Sequence, residues 1–201
     1  LSECDIIFGV KEIDPNIFLN NKTYIFFSHT YKLNTETLTN AQGTPGMDKK
    51  KLLKSIIKKN VKLIDYENIR DENGSRYLGF GRFAGIVGCF NTLNLFLSQN
   101  KFMSLGRAYK INNYERLKNN LRNIFFPKFK LLVTGDGRVA GGVLEILKET
   151  NIDQVSKDEY LNAKVDRPVF CNLQTCDYLI HSKKNIFDLS HFIKFPKEYA
   201  S

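Results

Sequence analysis

Short apolar runs separated by polar punctuation set the pattern of this chain. Asp5-Ile6-Ile7-Phe8-Gly9-Val10 and Thr23-Tyr24-Ile25-Phe26-Phe27 are apolar runs too short for helices, and they predict buried strands of a parallel sheet. Asp14-Pro15-Asn16 marks a turn between them. The segment from Leu33 to Asp48 is polar, contains Gly43-Thr44-Pro45-Gly46, and is predicted as a loop. From Lys50 to Asn60, Leu52, Leu53, Ile56 and Ile57 recur at helical spacing with Lys on the other face. Val61 to Glu67 predicts a third strand, Asp71 to Arg76 a turn centred on Asn73-Gly74, and Tyr77 to Phe80 a short returning strand.

The second half begins with the strongest apolar stretch. Arg82 to Gln99 predicts a buried helix, and Gly81, Gly85 and Gly88 point to close packing at its start. Tyr114 to Arg122 predicts a charged helix, which Phe125-Phe126-Pro127 ends. Lys130 to Thr134 reads as a strand and Gly141 to Glu149 as a helix. A short strand follows at Val155, then a helical turn from Lys157 to Leu161, then an irregular segment from Arg167 to Ser201. The alternation of strands and helices predicts an α/β fold of two Rossmann-like, doubly wound domains with parallel sheets. The expected boundaries are 1–127 for a substrate domain and 128–201 for the opening of a dinucleotide-binding domain.

Composition narrows the functional classes. The chain has 201 residues, 42% hydrophobic and 25% charged, which suits a globular protein with a sizeable core. The net charge of +9 points toward nucleic acid in principle. The Lys residues, however, are spread along the chain apart from Lys49-Lys50-Lys51, and the aromatics sit inside apolar runs rather than among the Lys. Neither a nucleic-acid nor a membrane partner is expected. No apolar run approaches the ~18–20 residues of a membrane span, and the acidic start Leu1-Ser2-Glu3-Cys4-Asp5 lacks the basic flank of a signal peptide. The expected location is cytoplasmic, with Cys4, Cys89, Cys171 and Cys176 as reduced thiols. Cys171 and Cys176 are separated by four residues with no His close in sequence, so no metal site is predicted. His181 and His191 are read as surface residues.

Two features carry candidate chemistry. Gly135, Gly137 and Ala140 satisfy G-x-G-x-x-G/A, with Arg138 and Val139 inside the pattern. The first Gly permits the tight turn, the second lets backbone amides approach a pyrophosphate, and the small third residue lets helix and strand pack closely. The acid expected ~20 residues on to hold a ribose is ill defined, with Asp158 and Glu159 just beyond Ser156. NAD is therefore read ahead of NADP, which stays open. The second feature is the placement of Lys11 and His29, each just past a strand, where open α/β sheets bind ligands. There the two side chains can share general acid/base work.

These residues also carry a family resemblance. Gly9-Val10-Lys11-Glu12, Phe26 to Lys32, Leu63-Ile64-Asp65-Tyr66-Glu67 and Gly79 to Gly85 resemble the amino-terminal domain of the alanine dehydrogenase and transhydrogenase superfamily. The strings His29-Thr30-Tyr31-Lys32 and Phe80-Gly81-Arg82-Phe83-Ala84-Gly85 resemble its lysine-forming saccharopine dehydrogenase branch. The resemblance implies two α/β domains with a cleft between them and an NAD-dependent oxidoreductase acting on the CH–NH group of an amino acid. Its small-molecule substrate would be saccharopine, and an alanine dehydrogenase-like or other imine-reducing activity is the alternative. A nucleotide-binding module without chemistry is the reading from another class. By resemblance Lys11 and His29 are catalytic, Glu67 and Arg82 serve substrate binding, and Gly135, Gly137, Arg138, Val139 and Ala140 hold the cofactor. The family pattern also implies a strand before Leu1 and further strands after Ser201. Both domains are thus expected to be present only in part, and the segment alone is expected to be inactive.

Overall fold

The computed structural model describes residues 1–33, 49–162, 164–183 and 186–200; the loop expected between Leu33 and Asp48 lies almost wholly outside them. Contacts group the chain into two compact units, Leu1–Gly79 and Phe80–Ser201. The expected domain boundary fell near residue 127. The observed division comes earlier because the long helix Gly81–Gln99 buries its apolar side in the core of the second unit.

The first unit holds three parallel strands in the order β1-β2-β3: β1 is Ile6–Phe8, β2 is Thr23–Phe26 and β3 is Lys62–Asp65. In register, Ile6 pairs with Thr23 and Thr23 with Lys62. Because side chains alternate across a strand, Tyr24 and Phe26 share one face. There they pack with Phe18 and with Leu52 and Ile56 of helix α1, Lys49–Lys58. Beta-strand β1 was expected to be buried. Instead Ile6 and Phe8 are exposed, since no described element covers that second face. The Asn-Gly turn forms as expected: Gly74 takes a φ of +76°, and the Asp71 carboxylate accepts the amides of Asn73 and Ser75. Tyr77 to Phe80 forms no strand; the return consists of one bridge between Arg70 and Arg76 and a hydrogen bond from Tyr77 to Ile69.

The second unit contains α2 (Gly81–Gln99), α3 (Tyr114–Arg122), β4 (Lys130–Thr134), α4 (Arg138–Leu147), β5 (Asp153–Gln154), α5 (Lys157–Asn162) and β6 (Val169–Leu173). An antiparallel pair, β7 (Ile180–His181) and β8 (Tyr199–Ala200), flanks helix α6 (Leu189–Lys194) in sequence. Beta-strand β6 falls in the segment read as irregular, and it is the middle strand of a parallel sheet ordered β4-β6-β5. Its residues face two cores. Phe170 joins Ile86, Phe90, Leu93, Leu121 and Ile146 on one side, while Val169, Cys171 and Leu173 join Val155 and Val165 on the other.

Helices α2 and α4 pack backbone to backbone. A Cβ added to Gly85 would lie 2.0 Å from the Val139 carbonyl oxygen, and one added to Gly142 would lie 2.0 Å from the Arg82 carbonyl oxygen. These reciprocal glycines let the two backbones touch. The expectation of close packing thus holds at Gly85, whereas nothing lies within 4 Å of a Cβ on Gly88.

Candidate active site

The carboxyl ends of β1, β2 and β3 lie side by side, and each delivers a polar group. The ladder runs past the named strands: the Gly9 amide donates to the Ile25 carbonyl at 2.9 Å and the Phe27 amide to the Val10 carbonyl at 3.2 Å. Lys11 and Glu12 follow this last rung on the first strand, Ser28 and His29 on the second, and Glu67 follows β3 on the third. His29 adopts a left-handed φ of 53°, a conformation that costs a non-glycine residue energy and persists only when its surroundings enforce it.

Glu67 provides much of that enforcement. Its carboxylate is 1% exposed and accepts the His29 amide at 3.0 Å through Oε2. The same oxygen lies 2.9 Å from His29 Nδ1, out of line for a hydrogen bond. On the other side Glu67 Oε1 lies 3.4 Å from Arg76 Nη1. A buried carboxylate requires such partners, because its charge has left water. The second imidazole nitrogen, Nε2, is 3.8 Å from Glu12 Oε1. His29 therefore sits between two carboxylates. Its Nδ1 faces the buried one and its Nε2 faces Glu12, which is half-buried.

The structure thus brings His29 and Glu67 together and places Lys11, exposed, beside Glu12 on the adjoining strand end. Glu12 was not singled out in the sequence, although a carboxylate next to a candidate base at a strand end is a readable signal. Arg82 is placed differently. Its Nε and Nη2 donate to Glu145 at 2.7 and 2.5 Å, and Tyr114 donates its hydroxyl to the same carboxylate. Arg82, Glu145 and Tyr114 tie α2, α4 and α3 together, which argues for a clamp rather than a substrate contact. The paired charges hold the Glu145 carboxyl below its ordinary pKa, chiefly through the Arg82 hydrogen bond. Burial, helped by the bond to Glu145, pushes the Tyr114 phenol up to about 12.

The glycine turn forms in the second unit. Gly135 takes a φ of +90° and donates its amide to the Leu173 carbonyl at 2.7 Å. Helix α4 starts at Arg138 rather than at the expected Gly141, so Arg138, Val139 and Ala140 form its first turn and Gly137 is the N-cap. Gly137 supplies no capping side chain, and the first turn presents its amides to whatever lies in front of it. Asn172, not anticipated from the sequence, pins the turn from β6 by donating Nδ2 to the carbonyls of Val133 at 3.2 Å and Gly135 at 2.9 Å. A cavity of about 480 Å³ opens beside the turn, walled by Gly135, Gly137 and Val143 and, on α2, by Gly88, Cys89 and Thr92. Since β6 rather than β5 neighbours β4, Asp158 and Glu159 follow a strand that is not adjacent to the turn.

His181 is buried, contrary to its reading as a surface residue, because it packs in an aromatic cluster with Tyr199 and His191. Candidate ligand atoms of His181, His191 and Glu198 lie within 4.8 Å of one another. The His181 Nδ1 accepts the Lys183 amide at 3.0 Å, which puts the proton of the neutral ring on Nε2, 3.2 Å from Glu198. The His181–Glu198 pair links β7 to the turn just before β8, and His191 packs against the His181 ring.

No protein-family model matches the chain. In sequence it is 28% identical to the alpha-aminoadipic semialdehyde synthase, mitochondrial, of Mus musculus over 223 aligned residues, covering 100% of this chain and 23% of that protein. The protein of the same name from Rattus norvegicus matches at the same 28% identity and coverage. The Arabidopsis thaliana alpha-aminoadipic semialdehyde synthase is 30% identical over 167 residues, 74% of this chain and 14% of that protein. A solved L-alanine dehydrogenase aligns with a TM-score of 0.44 at 12% identity, covering 85% of this chain and 43% of its own. The chain is homologous to the alpha-aminoadipic semialdehyde synthases, which bears out the superfamily resemblance carried by its motifs. It spans about a quarter or less of the length of these curated relatives. Among the described residues, no helix is long and apolar enough to cross a membrane.

Proposed function

We propose that this chain carries the proton-handling residues and the nucleotide-binding turn of a pyridine-nucleotide-dependent oxidoreductase acting on the CH–NH group of an amino acid. Saccharopine is the proposed substrate, with lysine and 2-oxoglutarate as products and NAD ahead of NADP. The observation that carries the reading is the His29 imidazole held between Glu67 and Glu12 at the carboxyl ends of three adjacent parallel strands. Homology to synthases whose name specifies an amino-acid semialdehyde supports it.

The glycine turn fits a dinucleotide. A Cβ added at Gly135 or Gly137 would meet nothing within 4 Å, so the space in front of both is open to a pyrophosphate, and the uncapped start of α4 favours negative charge there. Gly135, Gly137, Arg138, Val139 and Ala140 would hold the group. When bound, it would supply the acceptor for the hydride that leaves the carbon bearing the secondary amine. The chain's own residues would handle the protons. His29 Nε2 would take a proton from the water that attacks the imine carbon, Lys11 would return one to the departing amine nitrogen as the C–N bond breaks, and the remaining hydroxyl proton would pass to solvent as the C=O of 2-oxoglutarate forms. Glu67 would hold the His29 backbone through its amide and, 2.9 Å from Nδ1, would offset the positive charge that forms on the ring.

The test is reduced-nucleotide formation by the full-length protein, followed by absorbance, with saccharopine and alanine in parallel and with NAD or NADP. Turnover of saccharopine supports the reading. Turnover of alanine alone moves the protein to the alanine dehydrogenase-like alternative. Nucleotide binding with no turnover of either substrate overturns the named reaction.

A further inference from the structure

Asp65, the last residue of β3, contacts neither the His29 ring nor the Glu67 carboxylate in the described hydrogen bonds, yet it touches the backbone that carries both. Its carboxylate is 9% exposed. Oδ1 accepts the Glu67 amide at 2.9 Å and the Ser28 amide at a long 3.5 Å. Oδ2 accepts the Ser28 hydroxyl at 2.5 Å. Ser28 is itself fully buried, and its oxygen accepts the Thr30 amide at 3.1 Å and lies 2.7 Å from Thr30 Oγ1. One carboxylate thus fixes residue 67 directly and, through a single hydroxyl, fixes residues 28 and 30 on either side of His29.

The strain at His29 shows why this matters. A His at φ 53° relaxes unless its neighbours are held, and the neighbours are held here by the Asp65–Ser28–Thr30 chain. Leucine at position 65, close in size, cannot reproduce the pattern. It offers no acceptor, so the Glu67 amide and the Ser28 hydroxyl would both lose this partner.

We infer that Asp65 and Ser28 are positioning residues that set the orientation and tautomer of the His29 ring against Glu67. This rests on the catalytic reading of His29 proposed above. A displacement of about 1 Å in a reacting group can cost about 100-fold in rate, so loss of this link acts on turnover rather than on substrate affinity.

The experiment uses the full-length protein with Ser28→Ala, Asp65→Leu and the milder Thr30→Val, which removes a hydroxyl from a half-buried position and keeps the variant set informative if a buried substitution fails to fold. Steady-state kinetics with saccharopine are expected to show kcat lowered about 10- to 100-fold in Ser28→Ala and Asp65→Leu and less in Thr30→Val, with KM within about twofold. In parallel, two-bond ¹H–¹⁵N spectra of ring-labelled histidine are expected to show the His29 signal moving from one tautomer toward a mixture. Folded variants with unchanged kcat and an unchanged His29 ring signal overturn the inference, as does a rise in KM alone. If the wild type turns over no amino acid, the catalytic reading fails, and the ring spectra still decide whether Asp65 and Ser28 position His29.

Discussion

The two units build their candidate sites by opposite means. In the first, chemistry rests on side chains: His29, Glu12 and Glu67 meet at strand ends, and a buried carboxylate holds a strained backbone in place. In the second, the useful geometry comes from missing side chains: Gly135 and Gly137 clear the turn, and Gly85 and Gly142 let two helices touch. A site of the first kind is expected to lose activity before stability when mutated. A site of the second kind is expected to lose the fold first.

The sharpest contrast is expected from His29→Asn, since asparagine tolerates positive φ but offers no comparable base. Turnover should fall about 100- to 10,000-fold, as for loss of a general base, with stability within about 1 kcal/mol of wild type by urea denaturation. Gly142→Ala should do the reverse. The added methyl would lie 2.0 Å from the Arg82 carbonyl oxygen, and destabilisation of about 3 kcal/mol or more is expected. Gly88→Ala, with nothing within 4 Å, should be neutral or stabilising by up to about 1 kcal/mol in the same assay.

A smaller effect concerns the clamp. The Tyr114 phenol is raised to about 12 by burial and by Glu145, so the folded state holds this proton more tightly than the unfolded chain does. Its contribution is complete below the ordinary tyrosine value of 10 and is lost as pH rises from there toward 12. Thermal melts of Tyr114→Phe should lack that alkaline decline. Glu145 has the opposite sign: its lowered pKa gives stability that is present above the ordinary value of 4.5 and lost as pH falls below it. Arg82→Gln should weaken this acid limb. Because Arg82 is 49% exposed, solvent screens the pair and the substitution should cost little stability. The same variant should leave KM for the amino acid unchanged, whereas a tenfold rise would return Arg82 to the substrate site.

Most of the element pattern could be read from local spacing. The apolar runs at 5–10, 23–27 and 61–67 marked three strands, and the Leu52/Ile56 and Phe90/Leu93/Leu97 periodicities marked two helices, because each reports burial against a neighbour. Gly85 showed itself as a small residue in an apolar helix. The features missed depend on long-range partners. Val169 to Leu173 lacks an alternating pattern because both faces are covered, so β6 looked irregular. Asn172 and Asp65 became meaningful only when distant segments supplied a turn carbonyl and a serine hydroxyl. His181 looked like a surface residue until Tyr199 and Glu198 folded over it. Within the site, His29 and Glu67 were legible as strand-end residues, whereas the left-handed backbone that orients them was not.

The strand register also governs how such a site can change over time. Position along the paired strands, not distance along the chain, is the address of each active group: Ile6, Thr23 and Lys62 lie abreast, and Lys11, His29 and Glu67 follow at nearly equal offsets. Connections between strands can therefore lengthen or shorten freely without moving the chemistry, while a single-residue insertion inside a strand would turn its terminal group to the opposite face. Among relatives of this chain, gaps are expected to gather between residues 12 and 22 and between residues 33 and 61, leaving the three strand ends uninterrupted.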